Sequence, residues 1–415
     1  MKKYLLMAAA TSMLVFSACN NDDELAGPAG GNEKGTSEIT FDFTVNSGVE
    51  TRSGRDLYSQ SALQKVNDMR VYIFKLKEGG SNAANGDYLY YNDVSLTDYN
   101  TNGYYAVSSF QGTSTSQTES HTYKVTSKLP AGTYKFFAIG YEDGEANVFT
   151  LPTFTNASTG LNNVSLALAA SVKAPDEVFS GISDSYYTVA TDGEKIAAKL
   201  TLTRAVGGVL AYFKNIPTEV IPDGSNTATA VKSVAVKVIK QGKQVNLANP
   251  LTADPTNLGN VYNLIVFNLE NPTLGLTPNS TTKIYESPAV TSGTPTKVAN
   301  SVLAGNFVMP ISVVTGSTTI QVTLCSDNAG ATPIKTFDIK CIGGTNDAGH
   351  ALAPTKEFAL MANQLYSMGK KISDNNTDTD PSDPTKDDPI DLSNAQEIVI
   401  TVDANWTSIH DLVIE

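Results

Sequence analysis

The 415-residue sequence is poor in charge, tryptophan and histidine. Charged residues make up 17%, the formal net charge is -13, and there are 1 Trp and 3 His. A chain without a basic stripe cannot neutralise phosphates, which excludes nucleic acid as a partner. The histidines lack metal-binding spacing, and no catalytic-serine or phosphate-binding motif occurs, so we expect no enzyme and no cofactor. Paired carboxylates far apart in the sequence are the catalytic alternative left open.

Long hydrophobic runs are also missing, apart from the amino terminus. Residues 1–19, MKKYLLMAAATSMLVFSAC, carry two lysines, then an apolar region too short to span a bilayer, then small residues before Cys19. The pattern resembles a bacterial lipoprotein signal, which predicts Cys19 as the acylated residue, although Phe16 replaces the usual aliphatic residue. The alternative is a plain secretory signal with a chance cysteine. Residues 20–37, rich in Asn, Asp and Gly, predict a flexible tether.

Cysteine is scarce as well, since only Cys325 and Cys341 follow Cys19. Export permits a disulfide. However, residues 321–325 and 336–341 predict a hairpin with one cysteine near the turn and the other near the far end. The two positions would not face each other, so the sequence predicts two buried free thiols.

Arginine is the scarcest cation, with four in the chain. Arg52 and Arg55 follow residues 38–45, in which polar residues alternate with apolar ones, namely Ile39, Phe41, Phe43 and Val45. This alternation predicts a strand with one buried face. Arg70 and Arg204 fall in apolar, strand-like runs, so an arginine-directed protease would release the first strand whole. The alternative is an ordinary first strand followed by a solvated loop.

Strand-like segments separated by Gly, Asn and Pro turns continue to about residue 373. They predict an all-β fold of two Greek-key β-sandwich domains, residues 38–195 and 196–373. Within the first domain, residues 121–142 predict a hairpin with its turn at residues 130–132. Residues 374–396 are rich in Asp and Pro and predict a solvated, self-repelling linker. A calcium site there is the alternative, but the glycine and the final glutamate of a calcium loop are missing.

The chain ends on residues 397–415, which again alternate, with apolar positions at Ile398, Ile400, Val402 and Trp406. An apolar strand that follows a flexible linker needs a partner, because an exposed edge invites aggregation. It could fill the groove left by the first strand of a second copy, and such head-to-tail joining builds a filament. The alternative is that it folds back onto its own domain.

Several short segments occur in an order that resembles the FimA-type fimbrillin superfamily of Bacteroidetes, the type V pilins. They are the lipidation motif at Cys19, TRSGR at 51–55, VFSG at 178–181, LTRAVGGVLAYFKNIP at 202–217, NQLYSMGKKI at 363–372 and the Trp-containing terminal strand. The resemblance implies two transthyretin-like domains and export as an outer-membrane lipoprotein. It also implies cleavage by an arginine-specific protease at Arg52 or Arg55, with Arg52 preferred.

The same resemblance implies donor-strand exchange with copies of the chain or related pilins, in a cell-surface fimbrium that supports adhesion. A chain with both a cleavable first strand and a terminal strand fits a stalk subunit. A tip or anchor subunit is one alternative. A surface glycan-binding lipoprotein is another, since 18 Tyr could supply sugar-binding platforms.

Overall fold

The structure is a computed structural model. It describes residues 38–45, 68–96, 107–111, 118–125, 129–141, 148–154, 159–169, 174–190, 195–198, 200–248, 258–289, 297–342, 355–370, 387–393, 398–403 and 412–413.

The described residues form strands joined by turns, with helical structure limited to three short 3-10 segments, Asn85–Asp87, Leu161–Asn163 and Pro272–Leu274. None of these helical segments is long and apolar enough to cross a membrane. The strands up to residue 204 are β1 Glu38–Val45, β2 Asp68–Leu76, β3 Tyr88–Leu96, β4 Val107–Gln111, β5 Thr118–Val125, β6 Gly132–Tyr141, β7 Phe149–Thr150, β8 Ser165–Leu168, β9 Val178–Ile182, β10 Tyr187–Val189, β11 Lys195–Ala198 and β12 Thr201–Arg204.

The remaining strands run from residue 207 to residue 413. They are β13 Gly207–Lys214, β14 Glu219–Val220, β15 Thr229–Ala230, β16 Ser233–Val238, β17 Gln241–Gly242, β18 Gln244–Asn246, β19 Leu258–Gly259, β20 Tyr262–Asn268, β21 Thr277–Pro278, β22 Tyr285–Glu286, β23 Ser301–Val308, β24 Ile320–Cys325, β25 Pro333–Ile342, β26 Leu365–Met368, β27 Ile390–Asp391, β28 Ile398–Asp403 and β29 Leu412–Val413.

The first half of the chain has one small sheet, in which β7 and β8 pair with β18, and two larger ones. The first of the larger sheets has the order β11-β1-β5-β4, and the second has the order β29-β12-β9-β6-β2-β3 with β10 added on β6. Apolar residues of the second, including Val71, Phe136 and Phe179, share a buried core with Ile196 and Ala198 of the first. Alternating apolar residues on facing sheets thus produce a sandwich, as the period-two pattern predicts.

The largest sheet of the second half has nine strands, in the order β20-β16-β24-β25-β28-β26-β13-β23 with β27 also paired to β13. It encloses a large apolar core in which Val236, Leu324 and Ile339 are fully buried. The sheet curls so far that its two end strands meet, since Asn306 Nδ2 on β23 donates to the Leu264 carbonyl on β20 at 3.0 Å.

The two halves are packed against each other. The chain passes from β12 to β13 through Ala205 and Val206, which are buried together with Tyr72 and Phe137 of the first half. In addition, β18 pairs with β8. The turn between β12 and β13 is therefore part of a core and not an exposed connection.

The predicted all-β sandwich fold is confirmed, but the predicted hairpin of residues 121–142 is wrong. Strand β5 pairs with β1 and β4, whereas β6 pairs with β2, β9 and β10. The chain crosses from one sheet to the other beside Leu129 and Pro130, which are buried. An alternating pattern on both sides of a turn does not distinguish a hairpin from a crossing between sheets.

Candidate strand-exchange site

Strand β1 is an internal strand of its sheet. It pairs antiparallel with β5, from Ile39 opposite Val125 to Val45 opposite Glu119. On its other side it pairs in parallel with β11, from Glu38 to Phe41. Backbone N–H and C=O groups need partners. Loss of β1 would therefore leave a slot with two unpaired strand edges.

The register of β1 shows which partners such a slot would offer. The parallel pairing puts Ile39 level with Ile196 and Phe41 level with Ala198, and these two partners are buried in the sandwich core. Farther along the strand, Phe43 lies opposite His121 on β5. A replacement strand would thus be guided by one parallel edge, one antiparallel edge and an apolar floor. The predicted cleavage residues Arg52 and Arg55, and the predicted lipidation residue Cys19, lie outside the described residues.

The terminal strand β28 pairs with strands of its own chain. Strand β28 lies between β25, with which it pairs in parallel from Ile339 opposite Ile398, and β26, with which it pairs antiparallel, as in Tyr366 opposite Val402. Ile398 is fully buried in the core of the nine-stranded sheet. Of the predicted donor residues, Ile398, Ile400 and Val402 therefore share one internal strand, and Trp406 lies outside the described residues.

The first and terminal strands occupy equivalent positions in their sheets. Each has one parallel and one antiparallel neighbour, β11 and β5 for β1, and β25 and β26 for β28. A strand that leaves one position would meet the same pairing directions in the other. The sequence indicated the similar alternation of the two strands, but strand direction depends on long-range pairing and was not predicted.

The two arginines outside the predicted cleavage loop lie in paired strands. Arg204 is 1% exposed, and its Nε and Nη2 donate to Oε1 of Glu177 at 2.8 and 2.6 Å. Its Nη1 donates to Asn363 Oδ1 at 3.3 Å, and its guanidinium lies over the ring of Phe179. Burial lowers the pKa of Arg204, and the charge of Glu177 opposes that shift. This buried ion pair links the first half to a residue just before β26.

Arg70 is the other shielded arginine. It is the third residue of β2, where it pairs with Ser95 of β3 on one side and with Ile139 of β6 on the other. Its guanidinium carbon lies 5.5 Å from the ring centroid of Tyr72. A protease binds its substrate as an extended segment that is free of other backbone pairing, and neither Arg70 nor Arg204 offers one.

Part of the Asp/Pro-rich stretch packs against the nine-stranded sheet. Residues 387–393, which we call the strap, include β27, which runs in parallel beside Phe213 and Lys214 of β13. Leu392 is 2% exposed, and Asp387 is buried as well. Sequence reasoning missed the strap because its composition is that of a linker, and Leu392 is one of few apolar residues in it. The predicted calcium alternative, centred on residues 374–380, lies outside the described residues.

The two later cysteines are free and buried, as predicted. Strands β24 and β25 form the expected hairpin, with Cys325 opposite Pro333 next to the turn. Cys341 lies near the far end of β25, where its backbone faces β28. Burial raises the pKa of the Cys325 thiol, which reduces its reactivity.

No protein-family model and no curated protein matches the sequence. Solved structures similar to this chain include Bacteroidetes fimbrial proteins. The tip fimbrial protein Mfa3 of Porphyromonas gingivalis, with a C-terminal truncation, is 13% identical; the match covers 81% of this chain and 96% of that one, with a TM-score of 0.36. A fimbrial assembly protein of Parabacteroides distasonis is 10% identical over 81% of this chain and 94% of its own, with a TM-score of 0.32.

A candidate adhesin of Bacteroides thetaiotaomicron VPI-5482 is also similar. It is 11% identical, and the match covers 66% of this chain and 72% of that one, with a TM-score of 0.34.

Proposed function

We propose that this chain is a fimbrial stalk subunit that polymerises by strand exchange at the slot of β1. The observation that carries the proposal is the position of β1, an internal strand at the start of the described chain with partners on both sides. Because no other described strand precedes it, its removal cuts none of the connections between the remaining strands. The sequence resemblance to fimbrillins supports the same function.

Arginine-specific cleavage would prepare the slot. Arg52 and Arg55 follow β1 in the sequence, whereas Arg204 is buried in an ion pair and Arg70 lies between two paired strands. Cleavage at this loop would release β1 whole, together with the amino-terminal segment that carries Cys19. Lipid at Cys19 would hold the precursor at the outer membrane until that cut.

The strand that fills the slot would be β28 of a second copy. It carries alternating apolar residues, as β1 does, and it occupies a position with the same pairing directions. Exchange between identical molecules in a head-to-tail arrangement does not close on itself, so it yields a filament. Such a subunit has copies of itself or related pilins, and a surface protease, as partners.

A tip adhesin is the second candidate, and the burial of Ile398 favours it. A tip subunit accepts a strand at its β1 slot but has no subunit beyond it that needs one. Its own β28 could remain between β25 and β26, where the structure has it. The two candidates differ in whether β28 leaves its sheet.

The proposal is tested on precursor produced without residues 1–19 and treated with an arginine-specific protease. We expect a single cut after Arg52 or Arg55 by intact mass, followed by an SDS-resistant ladder on unboiled gels. The matched controls are Arg52→Ala/Arg55→Ala, which should stay uncut and monomeric, and Arg70→Lys, which should behave as the wild type. Excess peptide of residues 38–45 should suppress the ladder, whereas a scrambled peptide should not.

The other outcomes have distinct meanings. A clean cut that leaves a monomer would favour the tip adhesin over the stalk subunit. Failure of the protease to cut in the loop would overturn the processing step and favour an anchor subunit or a surface glycan-binding lipoprotein.

A further inference from the structure

The strap of residues 387–393 is attached to the nine-stranded sheet by paired backbone and side-chain hydrogen bonds. Asp388 and Lys370 exchange two backbone hydrogen bonds of 2.9 Å, and the Leu392 N–H donates to the Lys214 carbonyl at 3.0 Å. Pro389 and Leu392 are buried. The strap is therefore a folded part of the sheet and not a loose connection.

Two buried or partly buried side-chain contacts add to this attachment. The Tyr212 hydroxyl donates to Asp387 Oδ2 at 3.1 Å and accepts from the Val298 N–H at 2.9 Å. Asn215 Nδ2 donates to Asp391 Oδ2 at 2.6 Å. Hydrogen bonds to ionised carboxylates are stronger than neutral ones. Asp387 and Asp391 of the strap thus each accept a hydrogen bond from a side chain in β13 or directly after it.

The strap also limits how far the terminal strand can travel. Only residues 394–397 separate it from β28. An extended chain spans at most 3.3–3.6 Å per residue, so the five steps from Ser393 to Ile398 reach about 18 Å. A neighbouring subunit is tens of ångströms across. A strand tethered this closely cannot reach a slot in a second molecule while the strap stays on β13.

We propose that the strap is a latch, which must detach from β13 before β28 can leave its own sheet and pair with a second copy. The inference rests on the proposed function, in that β28 is the donated strand. Detachment lengthens the tether between β26 and β28, because the 16 residues 371–386 and the strap itself then add to its reach. The latch keeps the precursor monomeric by holding its donor strand in place.

The chain contains its own reporter of this step. Cys341 lies opposite Ile400 in the pairing of β25 with β28, and it is 5% exposed. Cys325, in the hairpin that β24 forms with β25, is fully buried and does not pair with β28. Departure of β28 would expose Cys341 to solvent, whereas Cys325, next to the β24–β25 turn, would stay buried.

The first test measures the labelling of both thiols by a maleimide, mapped by mass, in precursor produced without residues 1–19. In Tyr212→Phe/Asn215→Ala the strap loses two hydrogen bonds, and we expect Cys341 to react about tenfold faster, with Cys325 unchanged. The matched control is Asn263→Ala, which removes side-chain hydrogen bonds to the carbonyls of Ala329 and Gly330 in the β24–β25 turn and leaves every contact of the strap in place. Unchanged labelling of Cys341, or an equal rise at both thiols, would overturn the latch.

The second test locks the strap. Lys214 and Asp391 are partners in the parallel pairing of β13 with β27, so Lys214→Cys/Asp391→Cys can be oxidised with oxidised glutathione to a disulfide. In the locked chain Cys341 should stay unlabelled, and no ladder should form after arginine-specific cleavage. Reduction of the disulfide should restore both the labelling of Cys341 and the ladder. Lys214→Ser/Asp391→Ser is the matched control without a crosslink.

The two proposals fail separately in these experiments. If the locked chain polymerises as fast as the reduced one while the wild type forms a ladder, the latch is wrong and strand exchange stands. If the wild type forms no ladder under any condition, strand exchange is wrong, and the labelling of Cys341 still decides whether the strap holds β28.

Discussion

Cys341 lies directly opposite Ile400 across the parallel pairing of β25 with β28. One residue belongs to a hairpin in the middle of the second half, and the other belongs to the last long strand of the chain. The nine-stranded sheet is therefore completed by residues far away in the sequence. Any function that moves the terminal strand must also open this sheet.

The first prediction concerns the contribution of β28 to stability. Ile398 is fully buried in the core, so Ile398→Ala should lower the free energy of unfolding by about 2–5 kcal/mol through lost burial and a cavity. The matched control is Ile221, which is 61% exposed. Ile221→Ala should change the free energy of unfolding by under about 0.5 kcal/mol. Urea unfolding measures both. Equal effects would mean that β28 is not held in its own sheet in solution.

The second prediction concerns the buried ion pair of Arg204 and Glu177, whose arginine also donates to Asn363 of the second half. Arg204→Met removes the positive charge that faces the Glu177 carboxylate, so the variant should lower the free energy of unfolding by about 3–5 kcal/mol. The double variant Arg204→Met/Glu177→Leu removes both charges, so it should be clearly more stable than Arg204→Met alone. A double-mutant cycle by urea unfolding provides the comparison. Simple additivity of the two single variants would show that the pair is not coupled.

The third prediction concerns Gly369, which follows β26 with a φ of +85°. An added Cβ would lie 2.6 Å from the Tyr212 carbonyl oxygen. Gly224 also has a positive φ, of +76°, but nothing lies within 4 Å of an added Cβ. Gly224→Ala should lower the free energy of unfolding by roughly 1–2 kcal/mol, through left-handed backbone strain alone. Gly369→Ala should lower it by about 1–3 kcal/mol more, because its Cβ also meets the Tyr212 carbonyl oxygen. Thermal and urea unfolding of the two variants would show no difference if Gly369 were free to shift.

The fourth prediction concerns the pH dependence of stability that the Asp327 carboxylate produces. The Asp327 carboxylate accepts backbone N–H groups of Ala331, Thr332 and Ala329, which lower its pKa to about 2 against the opposing effect of desolvation. Because the folded pKa lies below the ordinary value of about 3.9, this contribution is complete above about pH 5 and decreases as the pH falls through 4 towards 2.

Asp327→Asn provides the test of that assignment. The variant should be less stable than the wild type at pH 7, and the gap should narrow as the pH falls from 4 to 2. The free energy of unfolding measured at each pH shows whether it does. A constant gap across that range would mean that another group carries the acid dependence.

The sequence predicted the alternating strands and their turns well, because the exposure of every second residue is a local property. Strand β1, the β24–β25 hairpin and the two buried thiols follow from such local patterns. It failed where a turn carries the chain from one sheet to another, as between β5 and β6. The sequence also did not predict the strap, because a few apolar residues among Asp and Pro do not indicate that the segment pairs with β13.

By itself the sequence determined the class of fold, the two alternating terminal strands and the scarcity of arginine that leaves Arg52 and Arg55 as cleavage candidates. Only the tertiary structure decided that β28 lies between β25 and β26 and that Arg204 pairs with Glu177. The reason is physical. Alternation specifies which face of a strand is apolar, whereas the choice of neighbour depends on backbone hydrogen bonds and burial between residues far apart in the chain.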